Sequence, residues 1–195
     1  MSKPPQVKRL VVGGFMFGVT ILLQATSYAA DVRNLLPDEA LVWSAKNFGR
    51  LLARATNEEA VEFGRVFSES TAYLGRSDPD KCIRMVMPSI FGPLRAEEWP
   101  KQYLDRQMAI QKRVVHTART QPTAVPDEKI AGPIFDKALA AVVQKHGKDA
   151  ARILSSTDKS IPAKSRCLVW SALYSELVKL PTDEAGLAIR WLNAP

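Results

Sequence analysis

The side chains able to do chemistry in this 195-residue chain are few and widely spaced. His116 and His146 stand thirty residues apart, and neither shares its helical stretch with a Cys, Asp or Glu one turn away, so neither forms half of a metal site. Cys82 and Cys167 are too distant for a Cys-x-x-Cys redox pair, and no Gly-x-Ser-x-Gly places a nucleophile on a strand-to-helix turn. Gly13, Gly14 and Gly18 fall within an apolar run rather than between a strand and a helix, which excludes a phosphate loop there. No cofactor is expected. The strongest catalytic signal is Glu69-Ser70, near the end of an apolar helical stretch. A lone carboxyl whose pKa is raised by an apolar cleft can donate its proton to a glycosidic oxygen.

Helical enzymes that cleave peptidoglycan use a Glu followed by Ser in this way, but they carry a glycine-rich segment ending in Met-Gln soon afterwards. Here Thr71 to Arg76 runs straight into a turn. A peptidoglycan-active, glycosidase-like enzyme with Glu69 as general acid therefore stands as an alternative, against the ordinary reading of Glu69 as an exposed helix carboxylate. Asp105 and Glu176 are single carboxylates with the same ordinary reading. Of the four tryptophans, Trp43, Trp170 and Trp191 fall in helical patterns and read as core. Trp99 differs, because it lies in a proline-rich crossing next to Tyr103 and close to Arg95, Lys101 and Arg106. That grouping predicts an aromatic and basic binding surface, since aromatic anchors dominate binding energy.

The elements that position these groups read as helices throughout. Pro37-Asp38-Glu39 opens a first helix to about Arg54, with Leu41, Val42, Ala45, Phe48, Leu51 and Leu52 on one face. Thr56-Asn57-Glu58-Glu59 has capping-box spacing and starts a second helix, ending near Gly75 and forming a hairpin with the first. Ser77-Asp78-Pro79-Asp80 starts a third, broken by Pro88, and residues 88–100 read as an irregular crossing. A long helix follows over Lys101 to Thr120, with Leu104, Met108, Val115 and Ala118 inward and Arg106, Lys112, Arg113 and Arg119 toward water. Pro126-Asp127-Glu128 opens the next, which Gly132-Pro133 is expected to kink or interrupt. A short helix over Ala150 to Leu154 precedes two more, Pro162 to Leu180 and Thr182 to Leu192, the last capped by Thr182. No segment alternates at period two, so the expected class is all-α: one compact domain of seven to eight helices over residues 30–195, behind an N-terminal export segment.

That segment determines the compartment. Lys3, Lys8 and Arg9 precede Leu10 to Leu23, a run of 14 residues with nothing more polar than Thr20. Fourteen residues span about 21 Å as a helix, short of the roughly 30 Å bilayer core. Ser27-Tyr28-Ala29 then gives the small-x-small pattern of a signal-peptidase site, predicting a signal peptide over residues 1–29. The competing reading extends the helix to Ala30 as an uncleaved inner-membrane anchor, with Gly14 and Gly18 at a helix-contact spacing. The positive-inside preference exports the body in either case.

Without the three N-terminal cations the chain carries 24 basic and 20 acidic residues, a diffuse +4. Such an excess permits weak contact with an anionic membrane surface, and export argues against nucleic acid as partner. In an oxidising compartment Cys82 and Cys167 are expected to form a disulfide, closing a long loop and restricting the unfolded chain by roughly 4 kcal/mol. The function these features imply is a non-enzymatic, exported, disulfide-stapled helical envelope protein that binds an envelope or periplasmic protein. A membrane-anchored accessory subunit of an envelope complex is the other alternative, and no metal is expected.

Overall fold

The computed structural model describes residues 48–194. The export segment and most of the helix expected from Pro37 lie outside the described residues. Within them every regular element is helical, and no helix is long and apolar enough to cross a membrane. Residues 48–52 are the end of one helix. There follow α1 (Asn57–Ser77), α2 (Pro79–Val86), α3 (Pro88–Phe91), a 3-10 turn (Ala96–Glu98), α4 (Lys101–Thr120), α5 (Glu128–His146), α6 (Asp149–Ser155), α7 (Ala163–Leu177) and α8 (Thr182–Leu192).

Local chemistry accounts for most of these ends. At the start of α1 the Glu59 N–H donates to Thr56 Oγ1 (3.2 Å) while the Thr56 N–H donates to Glu59 Oε2 (3.0 Å), a complete capping box. Asp78 closes α1 and opens α2. Its N–H donates to Leu74 O (2.7 Å), and its carboxylate accepts from the Lys81 N–H (3.1 Å), the largest cause holding that carboxyl below its ordinary pKa. Gly92 and Gly147 end α3 and α5 at φ +83° and +87°, a conformation that residues with a Cβ rarely adopt.

Three local expectations need correction. Gly132-Pro133 does not interrupt α5, which is one helix from Glu128 to His146. Pro133 is its sixth residue, so the missing N–H forfeits one early bond, and buried Ala131, Phe135, Ala138, Leu139 and Val142 hold the helix on both sides of it. Thr182 does not cap α8: Pro181 occupies that position and no side chain caps the helix. The buried face of α4 is Gln107, Ile110 and Val114, while Leu104, Met108, Val115 and Ala118 are only partly covered. The buried stripe is thus rotated from the expected one and includes a glutamine.

Helix α1 runs through the centre of the molecule. On one side it packs against α7 and α8 at short range: a Cβ on Gly186 would fall 2.3 Å from Asn57 Cβ, and one on Gly64 would fall 2.7 Å from Ile189 Cδ1. Buried Ser68 and Ser171 donate their hydroxyls to each other's backbone carbonyls, both at 3.0 Å, where α1 meets α7. Phe63, Phe67 and Tyr174 form an aromatic cluster there, with ring centroids 4.5–6.0 Å apart. The expected disulfide is present: Cys82 and Cys167, both fully buried with Cα atoms 6.2 Å apart, tie α2 to α7.

Two arginines are buried without a carboxylate among their hydrogen-bond partners. Arg166 donates to Ser156 O and Asp158 O, gathering carbonyls just past the C-terminus of α6. Arg190 donates to Ala53 O, Asn57 Oδ1, Thr123 Oγ1 and Ala124 O, which pins the 121–127 linker against the start of α1. Burial pulls both guanidiniums below their ordinary pKa, with Asp158 partly opposing this at Arg166.

Candidate functional site

The proline-rich crossing over residues 88–100 connects α2 to α4, and its irregularity follows from composition. Pro88, Pro93 and Pro100 lack N–H donors and Gly92 turns the chain, so the segment forms only α3 and one 3-10 turn. What fixes it is Arg84 of α2. Its guanidinium donates to Glu98 at two points (2.6 and 2.9 Å) and to Pro93 O (2.6 Å), and Glu98 Oε2 also accepts from the Arg95 N–H (2.8 Å). The Arg84 bond, followed by that of Arg95, holds the Glu98 carboxyl below its ordinary pKa. The crossing is thus clamped to α2 by a fork-to-fork ion pair.

Beneath it lies a partly open cavity of about 100 Å³. Phe48 of the first helix end, Phe63 and Phe67 of α1 and Met85 of α2 line it together with Leu94 and Trp99 of the crossing. Helix α4 contributes Leu104 and Gln107. Gln107 is only 6% exposed, and its side-chain amide has no hydrogen-bond partner among the described residues. Its one sequence-level signal is an inward spacing shared with Ile110 and Val114 on a helix of otherwise apolar inward positions.

The residues expected to form one aromatic and basic surface are divided. Trp99 is partly buried and faces the cavity. Tyr103, one turn into α4, pairs instead with exposed Tyr73 of α1 at a centroid distance of 5.6 Å. Each cation has a carboxylate of its own: Arg95 lies 3.8 Å from Glu97, Lys101 is 2.7 Å from Asp105, and Arg106 pairs with Glu69. Glu69 is the leading contributor raising the Arg106 pKa. The surface is therefore aromatic and mixed in charge.

Arg106–Glu69 belongs to a longer seam. Thr117 donates to Glu59 Oε1 (2.8 Å), Arg113 pairs with Glu62, and Arg106 pairs with Glu69. Positions rise along α1 as they fall along α4, which marks the two helices as antiparallel. Of the four cations expected to face water on α4, all are exposed, and two of them, Arg106 and Arg113, meet carboxylates of α1. Glu69 itself has a side chain 48% exposed and a cation as partner, and lacks the apolar enclosure that a general acid requires. Among the described residues no group of three His, Cys, Asp or Glu side chains is placed to hold a metal ion. His116 is exposed, whereas His146 Nε2 is buried without a partner there. No family model matches this chain, and no curated protein or solved structure matches it.

Proposed function

We propose that the chain is an exported, non-enzymatic helical envelope protein that binds another envelope or periplasmic protein through the end of the proline-rich crossing and the first turns of α4. The observation that carries the compartment is the Cys82–Cys167 bridge, since disulfides persist where the surroundings are oxidising. The cationic n-region, the short apolar run and the Ser27-Tyr28-Ala29 site agree with it.

A binding role is favoured over hydrolysis by the surroundings of Glu69, which is solvent-accessible and ion-paired. It is favoured also by the Tyr73–Tyr103 pair, which offers rigid aromatic area at low entropic cost beside mixed charges. Mass spectrometry of the protein recovered from the producing cell tests the compartment: a mature start at Ala30 or Asp31 is expected. An intact Met1 in membranes would select the anchored accessory subunit, and an intact Met1 in cytosol would overturn export. Photo-crosslinking from position 103 tests the surface, with one discrete partner band expected and none from a solvent-facing position on α5.

A further inference from the structure

We propose that the cavity beneath the crossing is a binding site for a small uncharged amphiphile: one ring or a short alkyl chain carrying a single neutral hydrogen-bonding group. This rests on the reading of the chain as a binding protein and gives that reading a ligand class. The first argument is size and wall chemistry. The cavity measures about 100 Å³ between Phe63, Phe67, Met85, Leu94, Trp99 and Leu104. An apolar cavity of about 150 Å³ accepts a benzene ring. The partly open side here leaves room for a group of that size to project beyond the walls.

The second argument is the lone amide. Gln107 is 94% buried, yet its side chain makes no hydrogen bond among the described residues. Neither of its polar atoms is among the fully buried ones left without a partner, so water in the cavity reaches the amide and a ligand group can take that water's place. The Asn193 amide nitrogen in the wall is engaged, donating to Ile189 O (2.7 Å) and to Tyr174 Oη (3.2 Å). Gln111 also has a partner. Gln107 is left to meet a ligand hydroxyl or carbonyl.

The third argument is charge. Among the described residues that line the cavity, Arg84 is the charged one, and both of its terminal nitrogens are taken by Glu98 and Pro93 O. A carboxylate or phosphate would have to displace Glu98 and would unclamp the crossing. The site therefore discriminates against anions.

The experiment uses the full chain with its disulfide formed, labelled with nitrogen-15, and three probes: phenol, benzene and benzoate. Phenol is expected to bind saturably and to shift the Gln107 side-chain amide resonance. Benzene should bind without moving that amide, and benzoate at least about tenfold more weakly than phenol. Gln107→Leu should weaken phenol by about tenfold and leave benzene unchanged, the effect of one lost hydrogen bond. Leu104→Trp, which fills the cavity, should abolish phenol binding; Met85→Phe serves the same purpose if that variant does not fold. The proposal is overturned if phenol does not saturate, if a folded filled variant binds it as wild type does, or if benzoate binds as tightly. It is equally overturned if ligand-free protein shows nuclear Overhauser contacts from the Gln107 amide to residues 1–47, because the chain would then occupy its own cavity. Partner crosslinking from position 103 without phenol binding would discard the ligand and leave the proposed role standing. Loss of crosslinking with phenol binding intact would do the reverse.

Discussion

The two sides of α1 are built by different rules. Toward α7 and α8 the backbones approach at Gly64 and Gly186, serines bond across the contact, and eight of the fifteen residues of α7 are buried. Toward α4, a helix of twenty residues buries only Gln107, Ile110 and Val114, and much of the contact is a solvent-exposed polar seam. Close packing stabilises in proportion to what it excludes from water, whereas exposed ion pairs contribute little. The difference teaches where stability is concentrated: the α7 side holds the fold, and the α4 side leaves room for a cavity.

The severest way to break this division is to remove what locks the α7 side. The Cys82–Cys167 bridge joins residues 85 apart in sequence. On the chain-entropy model its loss, in a Cys82→Ala/Cys167→Ala variant, should lower unfolding free energy by about 4 kcal/mol. Urea denaturation checks this, and a loss below about 1 kcal/mol would show that the bridge does not hold the two helices together. Arg190→Leu comes next. It leaves the fully buried Ala53 O without this donor and removes the arginine's bonds to Asn57, Thr123 and Ala124, although the Thr123 hydroxyl keeps its own bond to Ala55 O (2.7 Å), and it should cost about 3 kcal/mol. Hydrogen exchange in the 121–127 linker should rise in the same variant.

Tyr174 provides a pH test of the same side. Burial pushes its phenol up to about 12, with the Asn193 amide opposing slightly. In the unfolded chain the group titrates near 10. The fold keeps it protonated, so its contribution is fully present below about pH 10 and is lost as pH rises toward 12, on the order of 2–3 kcal/mol over that window. Tyr174→Phe removes the titration and the bond from Asn193, so the stability curves of the two proteins should keep a constant offset below about pH 10 and change their separation in alkali. Parallel curves from pH 9 to about 12 would show that the phenol is solvated.

The features legible in the sequence were those with local causes. Lys101–Thr120 matches its expected bounds because Pro100 and the segment after Gln121 delimit it, and the capping box at Thr56 and the proline start at Pro79 acted as such signals do. The bridge followed from the inferred compartment. What failed depended on distant chain. The four cations of α4 face water as expected, but the pairing of two of them was hidden, because Glu62 and Glu69, which meet Arg113 and Arg106, lie 51 and 37 residues away. Its inward stripe was misjudged because Gln107 looks like a surface residue until distant segments close around it. The cavity has no sequence signature, since its walls come from the helix end at residues 48–52, α1, α2, the crossing, α4 and Asn193, which are far apart in the chain.

The smallest expected effect tests the seam between α1 and α4. Arg106, Arg113, Glu62 and Glu69 all have side chains roughly half exposed, so water and salt screen each pair. Glu62→Gln/Glu69→Gln should therefore cost under about 1 kcal/mol at physiological salt, and less still at 1 M. The two partners would then be unpaired and the α4 surface basic, so the variant should adsorb to anionic lipid vesicles at low salt more than wild type does. That outcome would mean the two carboxylates act chiefly to mask charge. If stability instead fell by several kcal/mol, independent of salt, the seam would be part of the core in energetic terms, and α4 could no longer be regarded as the loosely held side on which the cavity depends.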